Sequence, residues 1–179
     1  MKVEKLGTFE VTSGKLIISD PCYETPTWCQ GFLKNVKNGT WKAWVEKDNC
    51  GSWGERVMSL AAIHLDSRLE QLIQLDATIG VDSGQAGIFD AGHYRDLSVF
   101  VGDSDFYAGS TDHDDNQWYG HCCDVTLAEA QAGIIPYGAV ASSGYGDGCY
   151  ECLYSKDDND EVVKVEIVFI PTEEKEDEE

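Results

Sequence analysis

Short β-prone runs cut by glycine-bearing reversals recur along this chain from end to end. Phe9-Glu-Val-Thr and Lys15-Leu-Ile-Ile-Ser flank Ser13-Gly14 and read as a β-hairpin. Asp20-Pro21 ends the second run, because proline cannot continue a central ladder. Asn38-Gly39 is a further hairpin signal and leads into TWKAWVE, whose tryptophans suit a strand. Residues 56–65 resume as strand or short helix, and the spacing of Leu69, Leu72, Ile73 and Leu75 predicts a short amphipathic helix over 67–75. Residues 77–81 and 86–89 read as partners across Ser83-Gly84. Residues 103–120 read as a long ordered loop, 124–127 as a short strand and 127–131 as a helical turn. Residues 138–142, 149–155 and 162–170 read as the final three strands, with KDDNDE as the last turn.

Eight or more short strands beside one or two short helices predict a mainly β fold, either a β-sandwich or a large antiparallel sheet, with α+β as the alternative. Eighteen glycines against four prolines suit so many tight reversals. Neither an internal repeat nor a linker divides the chain, so one β-rich domain is expected over 1–171. Residues 172–179 are expected to form an acidic, disordered tail. The start, MKVEKLGTFEV, lacks the continuous apolar segment of a secretory signal, and every apolar run is too short to span a bilayer. A cytoplasmic protein with no membrane association is the expectation.

The formal charge is −20, and EEKEDEE at the end carries only −5 of it. The body is therefore strongly acidic. Such a field repels nucleic acid and anionic membrane, which argues against direct nucleic-acid binding and favours cations or basic protein surfaces. Seven cysteines, an odd number in a chain without an export signal, read as reduced thiols.

Gly144, Gly146 and Gly148 give G-x-G-x-G, which departs from the dinucleotide fingerprint and precedes a strand-like CYECLY, where a phosphate cradle needs a helix. A bulge or hairpin is the simpler reading. Cys149-x-x-Cys152 on a strand would point its thiols to opposite faces, which disfavours a zinc knuckle and a redox pair alike. In "DHDDNQWYGHCC", Asp112, Asp114 and Asn116 match the first, third and fifth positions of a calcium loop. Gln117 and Cys123 then occupy the sixth and twelfth, so that reading fails. Neither an H-x-x-x-H nor an H-E-x-x-H pair occurs among His64, His93, His113 and His121.

Carboxylates beside turns remain. Asp20 ends a strand, Asp82 and Asp90 bracket "VDSGQAGIFD", and Asp147 sits between two glycines. Converging strand ends would make Asp20, Asp82, Asp90 and Asp147 an oxygen-rich site for calcium or magnesium, with zinc less favoured. The simpler alternative has each aspartate bonding its own turn.

"VTSGKLIISDPCY", "IGVDSGQAGIFD" and "SSGYGDGCYECLYSKDDNDEVVKVEIVFI", in that order, resemble a bacterial and phage family of unknown function, DUF4241. The resemblance implies a shared fold and no mechanism, and its phage and bacterial setting raises a role in phage–host or toxin–immunity conflict. Cys149 and Cys152 depart from the family pattern. A non-enzymatic module that binds a protein partner is the leading expectation. A divalent-metal-dependent hydrolase built on the four aspartates and an acidic nucleic-acid mimic stand as alternatives.

Overall fold

The computed structural model describes residues 1–67, 73–75, 78–107 and 117–172. Twelve strands are found among them: Lys2–Val11 (β1), Lys15–Ser19 (β2), Gly31–Lys34 (β3), Gly39–Asn49 (β4), Glu55–His64 (β5), Ile73–Gln74 (β6), Ile79–Val81 (β7), Gln85–Asp90 (β8), Ala132–Ile135 (β9), Gly138–Ser142 (β10), Gly148–Lys156 (β11) and Val162–Val168 (β12). One α-helix, Gln117–Thr126 (α1), accompanies them. The mainly β expectation is met.

The strands form two antiparallel sheets. One runs β1-β4-β5-β12-β11-β6, with β7 also paired to β11, and the other runs β3-β2-β8-β10-β9. Alternation explains how they pack. Phe9, Val11, Trp41, Ala43, Val45, Leu60, Ala62, Val165 and Ile167 face inward from the larger sheet, and Leu16, Ile18, Ala86, Ile88, Ala139 and Ala141 from the smaller. These side chains share one hydrophobic cluster, so the architecture is a β-sandwich. The opposite face of the smaller sheet is covered too. Phe89, Ile135 and Val140 point outward there, and Trp118 and Cys122 of α1 pack over them. The Trp118 ring lies 5.2 Å from Phe89 and 5.0 Å from Tyr94. Burial on both faces is why QAGIFD lacks polar alternation.

Three expected hairpins are corrected. β1 and β2 lie on either side of Ser13-Gly14, yet β1 pairs with β4 while β2 pairs with β3 and β8. β3 and β4, joined by residues 35–38 at the Asn38-Gly39 signal, likewise belong to different sheets. Across Ser83-Gly84, β7 pairs with β11, and β8 pairs with β2 and β10. Each turn reverses the chain but carries it from one sheet to the other. Among the described residues, consecutive strands that do pair are β2–β3, across the long 20–30 connection, and the hairpins β4–β5, β9–β10 and β11–β12.

The end of the segment read as a loop is α1, which also replaces the expected strand at 124–127. Residues 108–116, and with them the rejected calcium-loop aspartates and His113, lie outside the described residues. Most of the expected helix over 67–75 lies outside them as well, and Ile73–Gln74 within it is strand. The acidic stretch 173–179 is also outside them.

Candidate functional site

Asp20 stands one residue past β2 with its side chain fully buried. Its Oδ1 accepts the Cys22 N–H at 2.8 Å and the Ser83 hydroxyl at 2.6 Å. Its Oδ2 accepts the N–H groups of Asp82 and Ser83 at 2.8 and 2.7 Å. A single carboxylate thereby holds the Asp-Pro corner against the β7–β8 turn. Asp82 is exposed and accepts the Tyr23 hydroxyl, which ties the same two segments a second time. Burial, followed by the hydrogen bond to Asp82, pushes the Tyr23 phenol up. Four donors saturate Asp20 and leave it poorly suited to coordinate a cation.

Asp90 ends β8 and is also buried. Thr12 Oγ1 donates to Oδ2 at 3.1 Å, and the Ser13 N–H and hydroxyl donate to Oδ1. His93 Nδ1 meets Oδ2 at 2.7 Å, and the imidazole stacks on Tyr137 at 3.5 Å. Burial alone would raise the Asp90 carboxyl, but the hydrogen bonds from Ser13 and His93 outweigh it and hold the group below its ordinary range. The cluster fastens the β1–β2 crossover to the end of β8. Ser13 donates to the carboxylate and not to the imidazole, so the three side chains do not form a nucleophile–base relay.

The structure brings Asp20 and Asp82 together and keeps Asp90 apart. Leu16 faces Asp90 across the β2–β8 ladder and Ser19 faces Gly87. Asp20 and Asp90 therefore sit at opposite ends of that ladder, about 13 Å apart at roughly 3.3 Å per residue. Asp147 is exposed in the β10–β11 loop. Among the described residues, no three His, Cys, Asp or Glu side chains are grouped so as to hold a metal ion.

The glycine-rich loop builds an exposed aromatic corner. Gly144 has φ +59°, and a Cβ there would meet Ile170 at 2.9 Å. Only glycine fits the turn. Tyr150 closes it from below by donating to the Ser143 and Gly146 carbonyls. The reversal carries Tyr145 out to the β4–β5 loop, where its ring meets Trp53 edge-on at 5.5 Å. Trp53 is 59% exposed and Tyr145 54% exposed. Arg56 lies 6.0 Å from the Trp53 ring, and the Cys50 thiol raises the Tyr145 phenol. Asp147 is two residues beyond Tyr145, and exposed Glu55 is two beyond Trp53.

All seven cysteines are free. Cys149 is exposed and Cys152 buried, the opposite-face arrangement that their spacing on β11 requires. Burial raises Cys122 and Cys152, the latter to about 12, and holds both as neutral thiols. Cys22 is likewise pushed up to about 12, by burial and then by Asp20.

Two features escaped the sequence. Asp90-x-x-His93 at a strand end was a usable signal for the carboxylate–imidazole contact. The Trp53–Tyr145 contact joins residues 92 positions apart and had no local signature.

Residues 77–167 match the model of a family described as a protein of unknown function, DUF4241. The chain belongs to that family. No curated protein and no solved structure matches it. The DUF4241 match contains Asp82, Asp90, His93, α1 and the glycine loop, and starts downstream of Asp20.

Proposed function

We propose that this DUF4241 protein is a non-enzymatic, intracellular binding module whose partner is a protein with a basic face. The observation that carries the reading is the Trp53–Tyr145 pair, two large aromatics held more than half exposed by glycine-built loops. Exposed aromatics that contact each other are costly to leave in water and are the side chains most enriched at interface hot spots. Asp147 and Glu55 are exposed two residues along the chain from Tyr145 and Trp53, Arg56 already lies over the Trp53 ring, and the chain carries −20, so a cationic partner gains from the overall charge and from the Tyr145 ring. Seven free thiols suit a reducing compartment. The hydrolase alternative gains no support, since Asp20 and Asp90 serve as clasps at opposite ends of one ladder.

A photo-crosslinking amino acid at position 145 should capture one basic protein in native cells, and the same group at Glu10 should not. Binding of the purified captured protein should weaken by about tenfold or more on Trp53→Ala, the loss expected of a hot spot. Equal affinity for wild type and W53A would reject the reading.

A further inference from the structure

The outer face of the larger sheet carries a groove of about 540 Å³ whose lining differs from the rest of this acidic molecule. Trp44 and Ile63 form its floor, Val3 and Leu65 stand at its rim, and Lys5 and Lys42 are its charged residues. Register places these side chains on one face. Lys5 lies opposite Trp44 and Thr8 opposite Lys42 across β1 and β4, while Lys42 lies opposite Ile63 across β4 and β5. The alternating neighbours Ala43 and Ala62 point into the core. Val3 is 61% exposed and Leu65 48%, so the rim presents apolar surface to water.

Among the described residues neither Lys5 nor Lys42 forms an ion pair, although the chain holds 33 acids. Lys164, next along the row from Ile63, is spoken for by Glu166 at 3.3 Å and sits 5.8 Å from the Trp44 ring. Lysines on an edge strand guard against unwanted pairing, which explains Lys5 on β1. Lys42 is on β4, paired on both sides, where no edge needs guarding.

We propose that this groove binds a small monoanionic amphiphile, with its carboxylate between Lys5 and Lys42 and its apolar body over Trp44 and Ile63. The volume lies within the roughly 300–1,000 Å³ of small-molecule sites. The charge of the chain favours one anionic group over many. A polyanionic peptide would meet the repulsion of the whole body, whereas a single carboxylate seated between Lys5 and Lys42 meets these two cations first, with Glu46 opposite Val3 and Glu10 opposite Thr40 farther along the same face. The site lies on β1, β4 and β5 and is independent of the Trp53–Tyr145 corner.

Decanoate titrated into ¹⁵N-labelled full-length protein tests this by amide chemical shifts. Saturable shifts confined to β1, β4 and β5 around Lys5, Lys42, Trp44 and Ile63 are expected, with decanol at least tenfold weaker. Lys5→Glu with Lys42→Glu should weaken decanoate at least tenfold without moving the thermal midpoint, since both lysines are exposed. Scattered or absent shifts, equal binding of decanol, or an unaffected double variant would overturn the proposal. So would the peptide EEKEDEE producing the same shifts at lower concentration, or a self-association that buries these residues in sedimentation runs.

Discussion

Asp20→Asn changes one atom of a buried side chain on which four donors converge, and leaves its volume alone. An asparagine has one acceptor oxygen and one NH₂ group. If the NH₂ replaces Oδ2, the N–H groups of Asp82 and Ser83 both lose their acceptor and face a donor. If it replaces Oδ1, the Ser83 hydroxyl can rotate to accept, but the Cys22 N–H is stranded. The second arrangement costs less. It gives up a charged hydrogen bond worth about 1.5–3 kcal/mol and leaves a buried donor unsatisfied at about 1–3 kcal/mol. The sum is about 2.5–6 kcal/mol, a large part of the roughly 5–15 kcal/mol that holds a domain folded. At about 2–4 °C per kcal/mol for this size, the melting midpoint should fall by about 5–25 °C. Urea denaturation followed by tryptophan fluorescence measures the difference directly. A loss below about 1 kcal/mol would refute the clasp. EDTA offers a second discriminator. A clasp is indifferent to chelation, whereas a metal site at Asp20 would make EDTA destabilise the wild type as D20N does.

Asp90 gives a pH-dependent prediction. Its folded-state carboxyl is held below its ordinary value, so its stabilisation is complete above the unfolded value of about 3.9 and is lost as pH falls through the folded value. The stability gap between wild type and Asp90→Asn should shrink as pH falls below about 4. A gap that widens over that acidic range would contradict it. The thiols give another. At pH 7.5 a maleimide should modify exposed Cys149 within minutes and leave Cys122 and Cys152 intact until urea unfolds the chain, as peptide mass mapping would show.

The sequence announced the strands better than their partners. β11 and β12 were legible because alternation, a polar KDDNDE turn and true hairpin pairing coincide there. Ser13-Gly14 and Ser83-Gly84 looked equally strong, yet each connects two sheets. A glycine turn fixes where the chain reverses, while pairing depends on distant contacts, here the Asp90 and Asp20 clasps that pull each turn out of line. α1 was hidden for a related reason. WYGHCCD has weak helical amphipathicity, and the helix is held by Trp118 and Cys122 packing on Phe89 and Val140. The four aspartates were visible as residues beside turns. Reading them as one site required proximity that the β2–β8 register does not provide for Asp20 and Asp90.

The claim that function sits at the aromatic corner is tested most directly by crosslinking from position 145 in native cells, followed by affinity measurement on the captured protein. One basic protein should be captured, binding wild type at least about tenfold more tightly than Trp53→Ala and weakening as salt rises. Capture that is equally efficient from position 10, or an affinity that neither W53A nor salt alters, would contradict it.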